Sequence, residues 1–163
     1  MLIYQPITSK RDISMVAQMA RIIWENHFGP MFKKDELAYI IDKVQSEHAI
    51  EEYIHKGYMY HFIIRDTRRL GYFAYKIKKP ANELFLSKLY ITPGERKTGI
   101  GRQIINDLER ICKDNSLTKI TLTVFHKNTG AMKAYEKIGF QSKGVIKRDI
   151  GNNIIIEDFE MEK

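Results

Sequence analysis

The segment from Leu84 to Phe125 limits the fold more than any other part of the chain. It opens with "LFLSKLYI", apolar enough for a strand, and passes through "TPGERKTG". It then runs straight into a helix expected from about Gly99 to Asn115, where Ile104, Ile105, Leu108, Ile111 and Cys112 fall on one face. "KITLTVF" follows, Lys119 to Phe125, with β-branched and apolar residues alternating as in a strand. Strand, loop, helix and strand in that order make a β-α-β crossover, which requires a sheet with a helix laid on its face.

The rest of the chain fits around that unit. Ile13, Val16, Ala20, Ile23 and His27 recur at helical spacing after Ser9 or Thr8 as a cap, and Gly29-Pro30 ends the run near Phe28. A second helical region carries Leu37, Ile40, Ile41 and Val44 on one face. It resumes in "SEHAIEEYIHKG", with Ser46 as N-cap and Gly57 as the stop. Tyr58 to Arg65, Leu70 to Lys78 and Leu84 to Ile91 predict three antiparallel strands, the first two joined by "DTRR". After Phe125 a helix from Thr129 to Ile138 stops at Gly139, and strands "GVIKRDI" and "NIIIEDFEM" meet at "GNN". The expected fold class is α/β (α+β), order α-α-β-β-β-α-β-α-β-β, a mixed, mostly antiparallel sheet flanked by helices.

With 163 residues, 44% of them hydrophobic, and no linker, repeat or low-complexity tract, one domain over 1–163 is expected. Twenty-seven Lys and Arg against 20 Asp and Glu suit an anionic partner, whether nucleic acid, an acidic membrane or a phosphate-bearing cofactor. The bases are dispersed and form no basic-aromatic stripe, which argues against nucleic acid. Cys112, the single cysteine, reads as a packed thiol, and no intramolecular disulfide can form. "MLIYQPITSKRD" lacks the basic and apolar regions of a secretion signal, and no run approaches a membrane span. A cytoplasmic protein with no membrane partner is the expectation.

Chemistry enters at the loop. A strand end running into a helix start aims unpaired backbone N–H groups and the positive end of the helix dipole at one point. Gly99 and Gly101 have no Cβ to keep a phosphate away from the main chain, and Arg96, Lys97 and Arg102 add positive charge. The spelling is neither that of a P-loop nor that of the dinucleotide fingerprint. Taken alone, the loop also reads as a glycine-rich turn that packs helix on strand. Further on, Asn128 stands at a strand-to-helix junction and Tyr135 lies two helical turns later. Spacing alone leaves Asn128 as a cap or a ligand contact, and Tyr135 as a core ring or a functional group.

Together, "LSKLYITPGERKTGIGRQII" and "TLTVFHKNTGAMKAYEKIGF" resemble the GCN5-related N-acetyltransferase (GNAT) superfamily. Arg96, Gly99 and Gly101 match its acetyl-CoA loop, and Asn128, Ala131, Tyr135, Gly139 and Phe140 match its later motif. The resemblance implies a transferase that moves an acetyl group from acetyl-CoA, as cosubstrate and without a metal, to a primary amine. It places the pantetheine arm on the main chain of Leu89, Tyr90 and Ile91, with Asn128 touching the arm. The pyrophosphate falls on the amides of Arg96, Lys97, Thr98, Gly99, Ile100, Gly101 and Arg102. Tyr135 becomes the catalytic acid that protonates the departing thiolate. Dimers are common in that superfamily, so a homodimer is consistent with the resemblance.

Family members often carry a glutamate on the fourth strand as base; here Ser87 and Lys88 stand there. Glu83, His126, Glu157, Asp158 and bulk water are the candidates for proton removal. The stretch "IIWENHFGPMFKKDELAYIIDKVQSEHAIEEYI", with "LSKLYI" and "EDFEM", looks most like bacterial polyamine acetyltransferases of the spermidine/spermine type. Asp35, Glu36, Asp42, Glu47, Glu51 and Glu52, against Lys43 alone, would suit a cationic amine or form a solvated helix face. Trp24, Phe28, Phe32, Tyr39, Tyr72 and Tyr75 are candidates for an acceptor pocket, though several fit the core as well. Acetylation of a protein or peptide amine, or CoA binding without catalysis, is the alternative function.

Overall fold

The computed structural model describes residues Met1 to Lys163. Strand β1 spans Ile3–Pro6, β2 Met59–Arg65, β3 Arg68–Lys78, β4 Glu83–Ile91, β5 Lys119–Phe125, β6 Gln141–Asp149 and β7 Ile155–Glu162. Helix α1 spans Lys10–Phe28, α2 Lys34–Gln45, α3 Glu47–His55, α4 Ile100–Asp114 and α5 Thr129–Ile138. The strands form one sheet in the order β1-β2-β3-β4-β5-β7-β6, in which β4 and β5 are parallel and β1-β2, β2-β3, β5-β7 and β6-β7 antiparallel. The parallel pair is the one that the crossover through α4 demands.

Packing divides the chain into two compact units, Met1–Lys76 with Lys88–Gly99 and Ile77–Ser87 with Ile100–Lys163. In the first, α1 buries Ile13, Val16, Ala20 and Ile23 in one cluster with Ile7, Ile50, Tyr60, Phe62, Tyr72 and Ala74. Ser9 caps α1 by accepting from the Asp12 N–H at 3.1 Å. Ser46, extended at φ −77° and ψ 163°, breaks the second helical region into α2 and α3, and its Oγ accepts from the Ala49 N–H. Periodicity alone runs α2 and α3 together as one helical region, with Ser46 marking the cap between them.

Strand β1 was not expected. Four residues are too few to show a period, and the strand ends in Pro6. It lies at the sheet edge, paired only with β2, where a missing N–H is tolerated. The β2-β3 turn puts both Asp66 (φ 49°) and Thr67 (φ 67°) in the left-handed region, as a two-residue hairpin of primed type requires.

In the second unit, α4 buries Ile100, Ile104, Ile105, Leu108 and Cys112, and β5 buries Ile120, Leu122 and Val124. Burial raises the Cys112 thiol pKa, with Glu109 adding to the effect, as befits a packed thiol. Strand β6 begins earlier than "GVIKRDI" suggests. It starts at Gln141 and absorbs an irregularity between Ser142 and Gly144, where φ is +144°.

Candidate active site

The loop expected to hold an anion is tied to β3 at its start and then braced by short-range bonds of its own. Thr92 donates its N–H to the Leu70 carbonyl at 2.8 Å, Glu95 donates to Thr92, and the Thr98 hydroxyl donates to the Glu95 carbonyl at 2.8 Å. Lys97 (φ 65°) and Gly99 (φ 83°) then take left-handed turns that deliver the chain to α4 at Ile100. The amides of that first turn have no intrahelical partner.

The two glycines serve different ends. Gly99 is needed by the backbone, because its φ is one that a side chain strains. Gly101 has no such φ, and a Cβ there would meet no atom within 4 Å. Nothing in the protein requires residue 101 to be glycine, and the main chain is left bare toward open space. That is the condition for close approach of a phosphate.

Arginine side chains do something the sequence did not reveal. Arg96 ties the end of β4 to α1: its Nε donates to the Ile91 carbonyl at 3.2 Å and its Nη1 to Asn26 Oδ1 at 3.3 Å. Burial lowers its pKa, but a guanidinium remains charged at neutral pH. Arg102, in the first turn of α4, donates through Nη2 to the Lys137 carbonyl at 3.5 Å, in the last turn of α5. Lys97 and Thr98 are exposed.

At the end of β4, Leu89, Tyr90 and Ile91 are half-buried. The Tyr90 ring lies against Trp24 (5.3 Å between centroids) and Tyr72 (5.6 Å). Across from it, a Cβ on Gly71 would collide with the Tyr90 carbonyl oxygen and come within 2.9 Å of the Ile91 Cα. Gly71 therefore sets how closely the end of β4 lies on β3. A glycine inside a strand was the available signal, and the sequence reading passed over it.

Helix α5 explains the spelling Tyr-x-x-x-Gly-Phe as a single capping device. Gly139 (φ +116°) donates its N–H to the Glu136 carbonyl at 3.0 Å, and Phe140 donates to the Tyr135 carbonyl at 3.0 Å. These are the two bonds of a Schellman motif, and its usual apolar contact is present as the Tyr135 and Phe140 rings packed edge to face at 5.4 Å. Burial pushes the Tyr135 pKa up to about 12, so the hydroxyl is protonated at neutral pH and able to donate. Asn128, 8% exposed, precedes the helix without capping it through its side chain. Its backbone N–H donates to Phe125.

The base candidates differ sharply. Glu83, the first residue of β4, accepts a hydrogen bond from the Thr121 hydroxyl. Asp158 is 3% exposed and paired with Arg148 at 2.7 Å. Glu157 faces Lys147 across the β6-β7 ladder. His126, half-buried, has Nδ1 at 3.0 Å from the Glu157 carbonyl.

Of the aromatic candidates, Trp24, Phe28, Tyr72 and Tyr75 are buried, while Phe32 and Tyr39 are half-buried. The Tyr72 hydroxyl donates to Gln45 Oε1 at 2.8 Å, a buried pair that the sequence reading missed although Gln45 follows Leu37 and Ile41 at four-residue steps. Buried Lys88 carries its Nζ 4.5 Å above the Tyr53 ring. Several acids serve the helices: Glu36 accepts from the Lys33 N–H, and Asp35 and Glu47 lie in first turns. No group of three or more His, Cys, Asp or Glu is arranged to hold a metal, and no helix is long and apolar enough to cross a membrane.

The sheet contains a parallel crossover through α4, the segment after β4 is rich in free amides, and α5 carries a tyrosine that keeps its proton. The chain belongs to the Acetyltransferase (GNAT) family, whose profile matches residues 17–140. It is an acetyl-CoA-dependent N-acetyltransferase by that membership. Over 154 residues it is 22% identical to spermidine N(1)-acetyltransferase of Thermoplasma acidophilum, covering 91% of this chain and 92% of that protein. A 72-residue match at 33% identity to bovine thialysine N-epsilon-acetyltransferase covers 44% of this chain and 42% of that protein, so it spans less than half of either. In fold it is similar to the crystal structure of PaiA N-acetyltransferase from Thermoplasma acidophilum in complex with coenzyme A. The TM-score is 0.78 at 22% identity, covering 100% of this chain and 98% of that one.

Proposed function

We propose that the protein acetylates the primary amine of a small aliphatic acceptor, of the polyamine type represented by spermidine and spermine. The observation that carries the transfer is Tyr135, held by the Gly139-Phe140 cap with its proton retained. The acceptor class is supported by the two relatives above, whose names describe transfer to a primary amine at the end of an aliphatic chain.

The amides from Arg96 to Arg102 hold the pyrophosphate in this reading, with Gly101 leaving the main chain open to it. Leu89, Tyr90 and Ile91 offer main-chain groups to the pantetheine arm, and Asn128 contacts that arm. The bound cosubstrate supplies an acetyl thioester. Tyr135 gives its proton to the leaving sulfur, and a main-chain N–H near Tyr90 or Ile91 polarises the acetyl carbonyl.

The test is thiol release from acetyl-CoA with spermidine, spermine, lysine, thialysine, aminosugars and lysine peptides as acceptors. Turnover with the polyamines is the expected result. Turnover confined to peptides would overturn the acceptor class, and acetyl-CoA binding without transfer to any amine would overturn the catalytic reading.

A further inference from the structure

We infer that His126 accepts the proton lost by the acceptor amine. The inference rests on the transfer proposed above, because an ammonium has no lone pair and its proton must go somewhere.

Two of the four side chains considered for the task, Glu83 and Asp158, are bonded elsewhere, and the third, Glu157, sits opposite a lysine. Glu83, at the start of β4, accepts from the Thr121 hydroxyl. Asp158 is buried, and its Oδ2 accepts from the Arg148 guanidinium at 2.7 Å. Glu157 has Lys147 directly opposite on β6, a cross-strand neighbour of opposite charge.

His126 is arranged differently. It directly follows β5, and both its backbone N–H and its Nδ1 lie 3.0 Å from the carbonyl oxygen of Glu157 on β7. A carbonyl only accepts, so the hydrogen of the neutral ring sits on Nδ1 and the lone pair is left on Nε2. The ring is further fixed edge to face on Phe125 at 4.8 Å. Two residues later Asn128 leads into α5, which carries Tyr135. One strand-to-helix junction thus holds a ring with an open lone pair and leads into the helix that holds a retained proton. This is the complementary pair that acid-base transfer needs.

The step balances. Nε2 of His126 first takes the ammonium proton and releases it to solvent, and the neutral nitrogen then bonds to the acetyl carbon as the carbon–sulfur bond breaks with its electrons on sulfur. Nε2 of His126 takes a second proton from nitrogen, Tyr135 gives one to sulfur, and exchange of a proton through solvent restores both groups. The charged groups around His126 are Lys127 on its own segment, Glu157 and Asp158 on β7, and Lys147 and Arg148 on β6.

His126→Asn tests this, because the asparagine amide nitrogen can keep the Nδ1 hydrogen bond while nothing replaces Nε2. Expected are a fall in kcat of about 100-fold, an unchanged acetyl-CoA KM, and loss of the plateau in the pH profile, so that the rate keeps climbing with pH. Unchanged kcat and profile would overturn the role. Should that variant melt at a lower temperature than the parent, His126→Ala with added imidazole decides. Restored turnover supports the assignment, and no restoration overturns it. If the parent protein acetylates no amine at all, it is the proposed function that fails.

Discussion

Gly71 and Tyr90 approach so closely that the position of a Cβ on Gly71 is taken by the Tyr90 carbonyl oxygen, with the Ile91 Cα 2.9 Å away. Backbone, not a flexible side chain, fills that space, so any substitution must push the end of β4 off β3. The residues displaced are those expected to carry the pantetheine arm. Gly71→Ala should cost about 1–3 kcal/mol of stability and raise the acetyl-CoA KM. Thermal melting and steady-state kinetics on one preparation check both, and a variant with normal melting and KM would contradict the contact.

Gly101 gives the opposite balance. A methyl group there meets no protein atom, and alanine is the better helix former, so Gly101→Ala should gain about 0.5–1 kcal/mol. The same methyl stands where a phosphate is expected, so acetyl-CoA affinity should fall. Gly99→Ala should instead lower stability, because φ is +83° there. Calorimetric titration with CoA separates the two cases.

Tyr135→Phe removes the acid while keeping the edge-to-face contact with Phe140. Turnover should drop by about 100-fold with little change in acetyl-CoA KM. There is also a stability signature. The folded pKa of about 12 lies above the ordinary value of 10.0, so this group's contribution is intact below pH 10 and is lost as pH rises toward 12. Melting between pH 9 and 11.5 should therefore show a steeper alkaline decline in the parent than in Tyr135→Phe.

Arg96→Ala should destabilise the protein even without acetyl-CoA, because its guanidinium joins the Ile91 carbonyl to Asn26. Asn26→Ala should reproduce part of that loss, and the double variant should fall short of the sum. Lys97→Ala, on an exposed side chain, should leave melting unchanged. Additive losses for Arg96 and Asn26 would mean that the bond carries no coupling.

The sequence made the crossover, the helix caps at Ser9 and Ser46 and the Gly139 stop readable because each is a local signal within a few residues. What escaped it depends on distant chain. Strand β1 is four residues long and is defined by pairing with β2, some sixty positions away. Gly71 has meaning only once β4 is beside it, and the tautomer of His126 is set by a carbonyl 31 residues later. For Arg96 and Arg102 the motif gave the residue type but not the direction of the side chain. The loop was expected to gather positive charge around an anion bound by its amides, and in the structure each of these guanidinium groups also donates to a main-chain carbonyl.

The bond from Arg102 to the Lys137 carbonyl also bears on how such a protein can be rebuilt. It links the first turn of α4, where the amides open, to the last turn of α5, which carries Tyr135. Neither helix is an independent cartridge. Because the acceptor is a main-chain carbonyl, α5 moved into a chain that lacks the arginine would lose this fastening, whereas a transplant running from Arg96 through Phe140 would carry its own.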